Sequence, residues 1–257
     1  MGFGTLALSG VIQKDLLGGT SSPLYPKTPD FPPKARSVIF LYMDGGVSQV
    51  DSFDPKPQLA KEHGQKPKFK VDATVFNDNG NILKSPWKFN HYGKSGMPIS
   101  DLFPHIASCA DELCVIRSMT AFSPNHPNAN YALHCGHVLS GRPSMGAWVS
   151  YGLGTYSQDL PSYVVIHGGQ VPAGGMQCFG SGFLPANHQG SVFLPDHPVM
   201  QNTSPQESSE AVQRKKLEFL NEIDGNLEAK MTHAEAIESA IQNYELAFKM
   251  QIEVPDV

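Results

Sequence analysis

Residues 37–43, Ser-Val-Ile-Phe-Leu-Tyr-Met, are an unbroken apolar run rich in β-formers after a Pro-Pro turn. Such a run, without alternation, predicts a strand buried on both faces, as in a parallel sheet. Residues 55–98 lose all period and are rich in Lys, Pro, Asn and Gly. They predict a long surface excursion with little regular structure. Helical spacing returns over 99–111, where Ser100 is the cap and Leu102, Phe103, Ile106 and Ala110 share a face. A short strand over 113–117 follows.

Ala129, Ala132, Leu133 and Cys135 give residues 128–139 helical character. Residues 144–153 read as a further helix, capped by Ser144 and closed by Gly154. Tyr163-Val-Val-Ile-His167 is a strand ending in Gly-Gly. Strand, helix, strand, helix, strand is the alternation of an α/β domain, with a mostly parallel central sheet flanked by helices. Residues 168–203 again lack a period. From Ser204, a cap with Pro205 at the first helical position, apolar residues recur at three- and four-residue spacing. The stripe runs through Leu217, Leu220, Ile223, Leu227 and Met231, then Ile237, Ile241, Tyr244 and Phe248, with Asp224-Gly225 as a kink or division. No returning strand precedes Val257, so the α/β fold is expected to be incomplete at its C-terminus.

Composition narrows the class. The chain has 257 residues, 40% hydrophobic and 17% charged, enough for a large globular α/β domain. A net charge of −5 without a basic block argues against a nucleic-acid partner. The four cysteines form no C-x-x-C pair, so they read as buried thiols, or as one disulfide if the protein is exported. Residues 1–12 are apolar and small, too short to span a bilayer, and no transmembrane segment is expected. They are either the core of an export signal without its charged start or an ordinary helix. Residues 18–34 read as an extended linker, so 1–34 stand apart from a domain over 35–203 and its helical segment over 204–257.

Two constellations can carry chemistry. Asp44 stands at a strand end before Gly45-Gly46, where α/β sheets gather ligands, although the same residues also make a tight turn. Asp51 and Asp54 follow within the same stretch, as metal ligands or as cap and turn residues. The second constellation is Ser123 to His137. His126 leads a helix there, while His134 and His137 either share a helical face as ligands or are buried and capping. Arg117 can offer a guanidinium to an anionic ester or pair with Asp111 or Glu112. No phosphate-loop, dinucleotide or nucleophile-elbow pattern occurs.

The run from Ser37 to Pro57 resembles the opening motif of a bacterial sulfatase-like family, the domain of unknown function 1501. So do Ile99-Ser-Asp-Leu-Phe-Pro-His105, Val115-Ile-Arg-Ser-Met119 and Gly141-Arg-Pro-Ser-Met-Gly through Gly154, and the resemblance extends from about residue 36 to 254. It implies an alkaline phosphatase/sulfatase-like fold with a divalent-metal site (Zn, Ca or Mg) at the strand ends. It further implies periplasmic or secreted location, by a twin-arginine signal, and an N-terminal portion of a longer chain with further Asp/His motifs. Under this resemblance Asp44, Asp51 and His126 are metal ligands, while His126 and Arg117 are the catalytic candidates. The implied partner is a small anionic ester or a sulfated glycan. Sulfatases place a Cys or Ser in C/S-x-P-x-R; here His126 stands at that position and Asn130 replaces the arginine. The expected function is metal-dependent hydrolysis of sulfate or phosphate esters, silent in this chain, with a non-catalytic extracytoplasmic binding protein as the alternative.

Overall fold

A computed structural model describes residues 24–70, 80–157, 159–168, 170–195, 207, 209–228 and 235–253. The expectations for residues 1–12 and for the Ser204–Pro205 cap lie outside these residues. The chain divides into two compact units, one spanning 39–120 and the other combining the segment up to Val38 with 121–257. Its described elements are a mixture of helices and two two-stranded sheets.

In the unit 39–120, two short helices, α1 (Gln49–Ser52) and α2 (Pro57–Lys61), precede a hairpin. Strands β1 (Phe89–Tyr92) and β2 (Met97–Ser100) pair antiparallel with Phe89 opposite Ser100 and Tyr92 opposite Met97. Ile99, Ala107 and Ala110 form the buried centre, covered by Phe53, Tyr92, Met97, Phe103 and Leu113. Phe53 stacks on Phe103 at 5.6 Å between ring centroids. The hairpin turn is pinned from outside: Asp111 Oδ1 accepts from the Lys94 N–H at 2.7 Å and the Ser95 N–H at 3.3 Å.

Three expectations are corrected here. The helix placed over 99–111 is instead the end of β2, a short α3 (Pro104–Ala107) and a 3-10 turn at Ala110–Glu112. Proline sets the start: Pro104 takes the first helical position, and Phe103 before it is held outside the helical region at φ −122° and ψ 61°. Ser100 is therefore not a cap but a buried strand residue. Residues 37–43 are not in a described ladder, and Val38, Ile39 and Leu41 are 71%, 83% and 89% exposed. A strand buried on both faces needs a neighbour on each side, and no described strand supplies one. Residues 113–117 likewise join no strand.

In the other unit, α4 (His126–Cys135) ends where Gly136 turns left-handed at φ 71°. Helix α5 (Met145–Leu153) keeps the expected bounds, with the Ser144 hydroxyl accepting from the Ala147 N–H and Gly154 as closure. Strand β3 (Val164–Ile166) pairs parallel with β4 (Ser191–Phe193), Val165 opposite Val192. Val165, Cys178 and Phe179 are the buried centre of this unit, with Tyr131, Tyr163 and Val192 against them. One parallel pair is present, but among the described residues no larger parallel sheet flanked by helices is formed.

Two long helices close the unit, α6 (Glu210–Glu228) and α7 (Glu235–Glu253). Ser209 opens α6 by accepting from the Val212 N–H, and Asp224-Gly225 does not break it. Leu217 and Phe248 are buried between them. The Arg214 guanidinium lies 4.1 Å from the Phe248 ring centroid and 3.0 Å from Glu245. Residues 24–27 are more than a linker. The Lys27 N–H reaches the Leu153 carbonyl at 2.9 Å, and the Thr155 N–H reaches the Leu24 carbonyl at 2.8 Å.

Candidate functional site

Asp44 sits in a turn closed by the Gly46 N–H on the Met43 carbonyl at 2.9 Å. Gly45 and Gly46 follow with φ of 79° and 70°, a conformation open mainly to glycine. One carboxylate oxygen accepts from the Tyr42 hydroxyl at 2.9 Å and from the Gly45 N–H at 3.0 Å. The side chain is thus both exposed and oriented by its own neighbours.

Asp51 lies in α1, where the Ser48 hydroxyl donates to it at 2.7 Å. Ser48, and with it Ser85, hold the Asp51 carboxyl below the ordinary carboxylate range. Asp54 accepts from Lys56 at 2.6 Å and from Gln49 at 2.8 Å. These contacts, with the charges of Lys56 and Arg117, hold its carboxyl low as well. Arg117 is exposed, and its charge is the last of these influences on Asp54. Asp51 thus takes a hydroxyl donor within its own short helix, which has no side-chain cap bond, and Asp54 an ion pair with Lys56.

His126 opens α4, exposed, in the first turn after Asn125. The Ser123 hydroxyl accepts from the Asn125 N–H at 3.2 Å and fixes the approach to the helix. His134 and His137 take their structural roles. His134 is buried edge-on against Phe179 at 5.2 Å, and His137 Nδ1 accepts from the Leu139 N–H at 3.1 Å.

Oxygen donors from Asp44 and Asp51 with a nitrogen from His126 are a chemically suitable set for a divalent ion. Among the described residues no three His, Cys, Asp or Glu side chains are gathered for a metal. Asp44 and Asp51 belong to the unit 39–120, and His126 to the other. Each carboxylate is satisfied by donors from its own stretch.

Two features escaped sequence reading. An open depression of about 580 Å³ is lined by Leu133, Pro143, Met145, Trp148, Val149 and Leu153, with His134 at its wall. It is apolar and contains none of Asp44, Asp51 and His126. The other is a polar line, Ser162–Ser150–His188, buried at Ser150 and His188, in which Ser150 Oγ lies 2.6 Å from Ser162 Oγ. His188 falls in the aperiodic stretch 168–203, where no motif or spacing singled it out.

No helix among the described residues is long and apolar enough to cross a membrane. A family model described as "Protein of unknown function (DUF1501)" matches residues 35–257. No curated protein and no solved structure matches the chain.

Proposed function

The chain belongs to the DUF1501 family, and from that premise we propose that it is an extracytoplasmic, sulfatase-like protein of the alkaline phosphatase superfamily, directed at sulfate or phosphate esters. In this reading residues 1–257 do not turn such esters over by themselves. The observation that carries it is the state of Asp44. Its carboxylate lies within the stretch that resembles the family's opening motif and is oriented by Tyr42 and Gly45, yet no group of three metal donors forms among the described residues. A bound divalent ion (Zn, Ca or Mg) would polarise the ester and activate water or a nucleophile. Three protein ligands are the usual set at a catalytic zinc, so no hydrolytic step is assigned to the present residues.

A second reading is a non-catalytic extracytoplasmic binding protein on the same scaffold. It is favoured by His126 at the helix-leading position, where sulfatases need a thiol or hydroxyl. Metal content separates the two. Purified protein should hydrolyse neither p-nitrophenyl sulfate nor p-nitrophenyl phosphate above background. Turnover abolished by Asp44→Ala or His126→Ala would overturn the silence. Near-stoichiometric bound zinc, calcium or magnesium supports the hydrolase lineage; none supports the binder.

A further inference from the structure

The charge of the chain is unevenly placed. Described residues 56–70 and 80–94 contain eight lysines and one glutamate, in a chain whose net charge is −5. No basic block stood out in the sequence because these lysines are spaced by prolines, glycines and polar residues. Between the two stretches lie residues 71–79, with Asp72 and Asp78, outside the described residues.

The fold brings the two stretches side by side. The Gly64 N–H donates to the Ile82 carbonyl and the Ile82 N–H to the Gln65 carbonyl, both at 2.8 Å. One step on, the Lys84 N–H reaches His63 Nδ1 at 3.3 Å. Ile82 is buried under this crossing, while Lys61, Lys66, Lys70, Lys84 and Lys88 are all exposed. Lys56 is paired with Asp54 and Lys68 lies 3.9 Å from Glu62. The side-chain ammonium groups of the other lysines form no ion pair among the described residues, although the backbone N–H groups of Lys88 and Lys94 donate to Asp101 Oδ1 at 3.2 Å and Asp111 Oδ1 at 2.7 Å. Trp87, between Lys84 and Lys88, leaves 42% of its surface exposed.

We propose that this face, centred on Lys66, Lys84, Lys88 and Trp87, binds an acidic, sulfated polysaccharide chain. The choice of ligand rests on the anionic-ester reading above, and the chemistry of the face agrees with it. Ammonium groups are point charges that suit sulfates strung along a flexible polymer. The two stretches hold no arginine, the residue preferred for bidentate phosphate recognition. A single exposed indole offers a flat apolar face to a sugar ring, but not the series of stacking platforms that single-stranded nucleic acid requires. No amphipathic helix presents these lysines, as insertion into a lipid surface would need.

The test is retention on, and titration with, heparin at about 0.15 M salt, using unsulfated dextran as the neutral reference. Heparin should bind and dextran should not. Replacing Lys66, Lys84 and Lys88 together by alanine should weaken binding about tenfold to hundredfold, given what each lysine contributes beside a dense anionic surface. The matching Lys→Arg variant should restore it. Replacing Lys34, Arg36 and Lys215 by alanine removes the same charge from the other unit and should change binding little. No heparin binding, equal loss in the two alanine triples, or tighter binding of phosphatidylserine vesicles or a single-stranded oligonucleotide would overturn the proposal. Heparin binding without a bound metal would leave this face standing while removing the hydrolase lineage. A bound metal without heparin binding would do the reverse.

Discussion

Ser150 Oγ lies 2.7 Å from His188 Nδ1, with both side chains buried. Helix α5 is joined by this contact to the turn at Ala186–His188. The Tyr151 ring meets the imidazole edge-on at 5.4 Å, and Lys27 stands over that ring at 4.9 Å. His188 Nε2 is buried without a hydrogen-bond partner. An imidazole in this position is far easier to keep neutral than to charge.

Acid should therefore act through His188. Burial first, then the Lys27 ammonium, lower its pKa from 6.5 to about 4. The unfolded chain takes up the proton at the higher value and the native chain resists it. The His188 contribution is thus full above 6.5 and declines as pH falls toward 4. Between these values the loss reaches roughly 2 kcal/mol at about pH 5. Urea midpoints measured from neutral to mildly acid pH should fall more steeply in the native sequence than in His188→Asn. Parallel slopes would show that another group governs the transition.

Ser150→Ala removes the hydroxyl between His188 Nδ1 and Ser162 Oγ, leaving both without that partner. A buried polar group left unpaired costs about 1–3 kcal/mol, so the variant should lose stability of that order in chemical denaturation. Ser162→Ala should lose less, since Ser162 still reaches solvent.

Gly154 closes α5 with φ 67°, and a Cβ there would run into the Tyr25 carbonyl. Gly154→Ala meets both a strained backbone, about 1–3 kcal/mol, and the loss of the Leu24–Lys27 contacts. It should lower the melting temperature and make the chain around residues 24–27 more susceptible to limited proteolysis. Gly152→Ala, with open space at the Cβ position, is the control.

Asp111→Ala releases the two backbone amides of Lys94 and Ser95 from their shared acceptor. Charge-assisted bonds of this kind are stronger than neutral ones. Amide exchange at Lys94 and Ser95 should accelerate, while exchange in α5 stays unchanged. Uniform acceleration throughout the chain would point to global destabilisation instead.

Local grammar was readable where it acts alone. Ser144 and Gly154 bound α5, because a cap and a closing glycine need nothing beyond their own helix, whereas Gly136 stops α4 inside the run 128–139 that was expected to stay helical. The apolar stripe at Leu217 and Phe248 also emerges as helices. Residues 37–43 show the opposite case: their β-rich run states what they could pair with, but pairing depends on distant strands. At 99–111 a helical period was overruled by one proline. The place of Asp44 after an apolar run and before Gly45-Gly46 pointed to it, whereas its Tyr42 and Gly45 contacts were visible only in the fold. The Ser150–His188 contact joins positions 38 residues apart and leaves no periodic trace.

The clasp between residues 24–27 and 151–155 also has a history in time. Its Lys27–Tyr151 bond spans 124 residues, and the whole unit 39–120 lies inside the loop it closes. As the chain emerges from a ribosome, Lys27 waits for its partner through about 5–20 residues per second of synthesis, on the order of ten seconds. The unit 39–120 can organise during that wait, because its own contacts are shorter in sequence. A preformed unit then shortens the effective loop and eases the entropy of closure. The clasp is thus a late event, which leaves the leading segment accessible until Leu153 and Thr155 have been made.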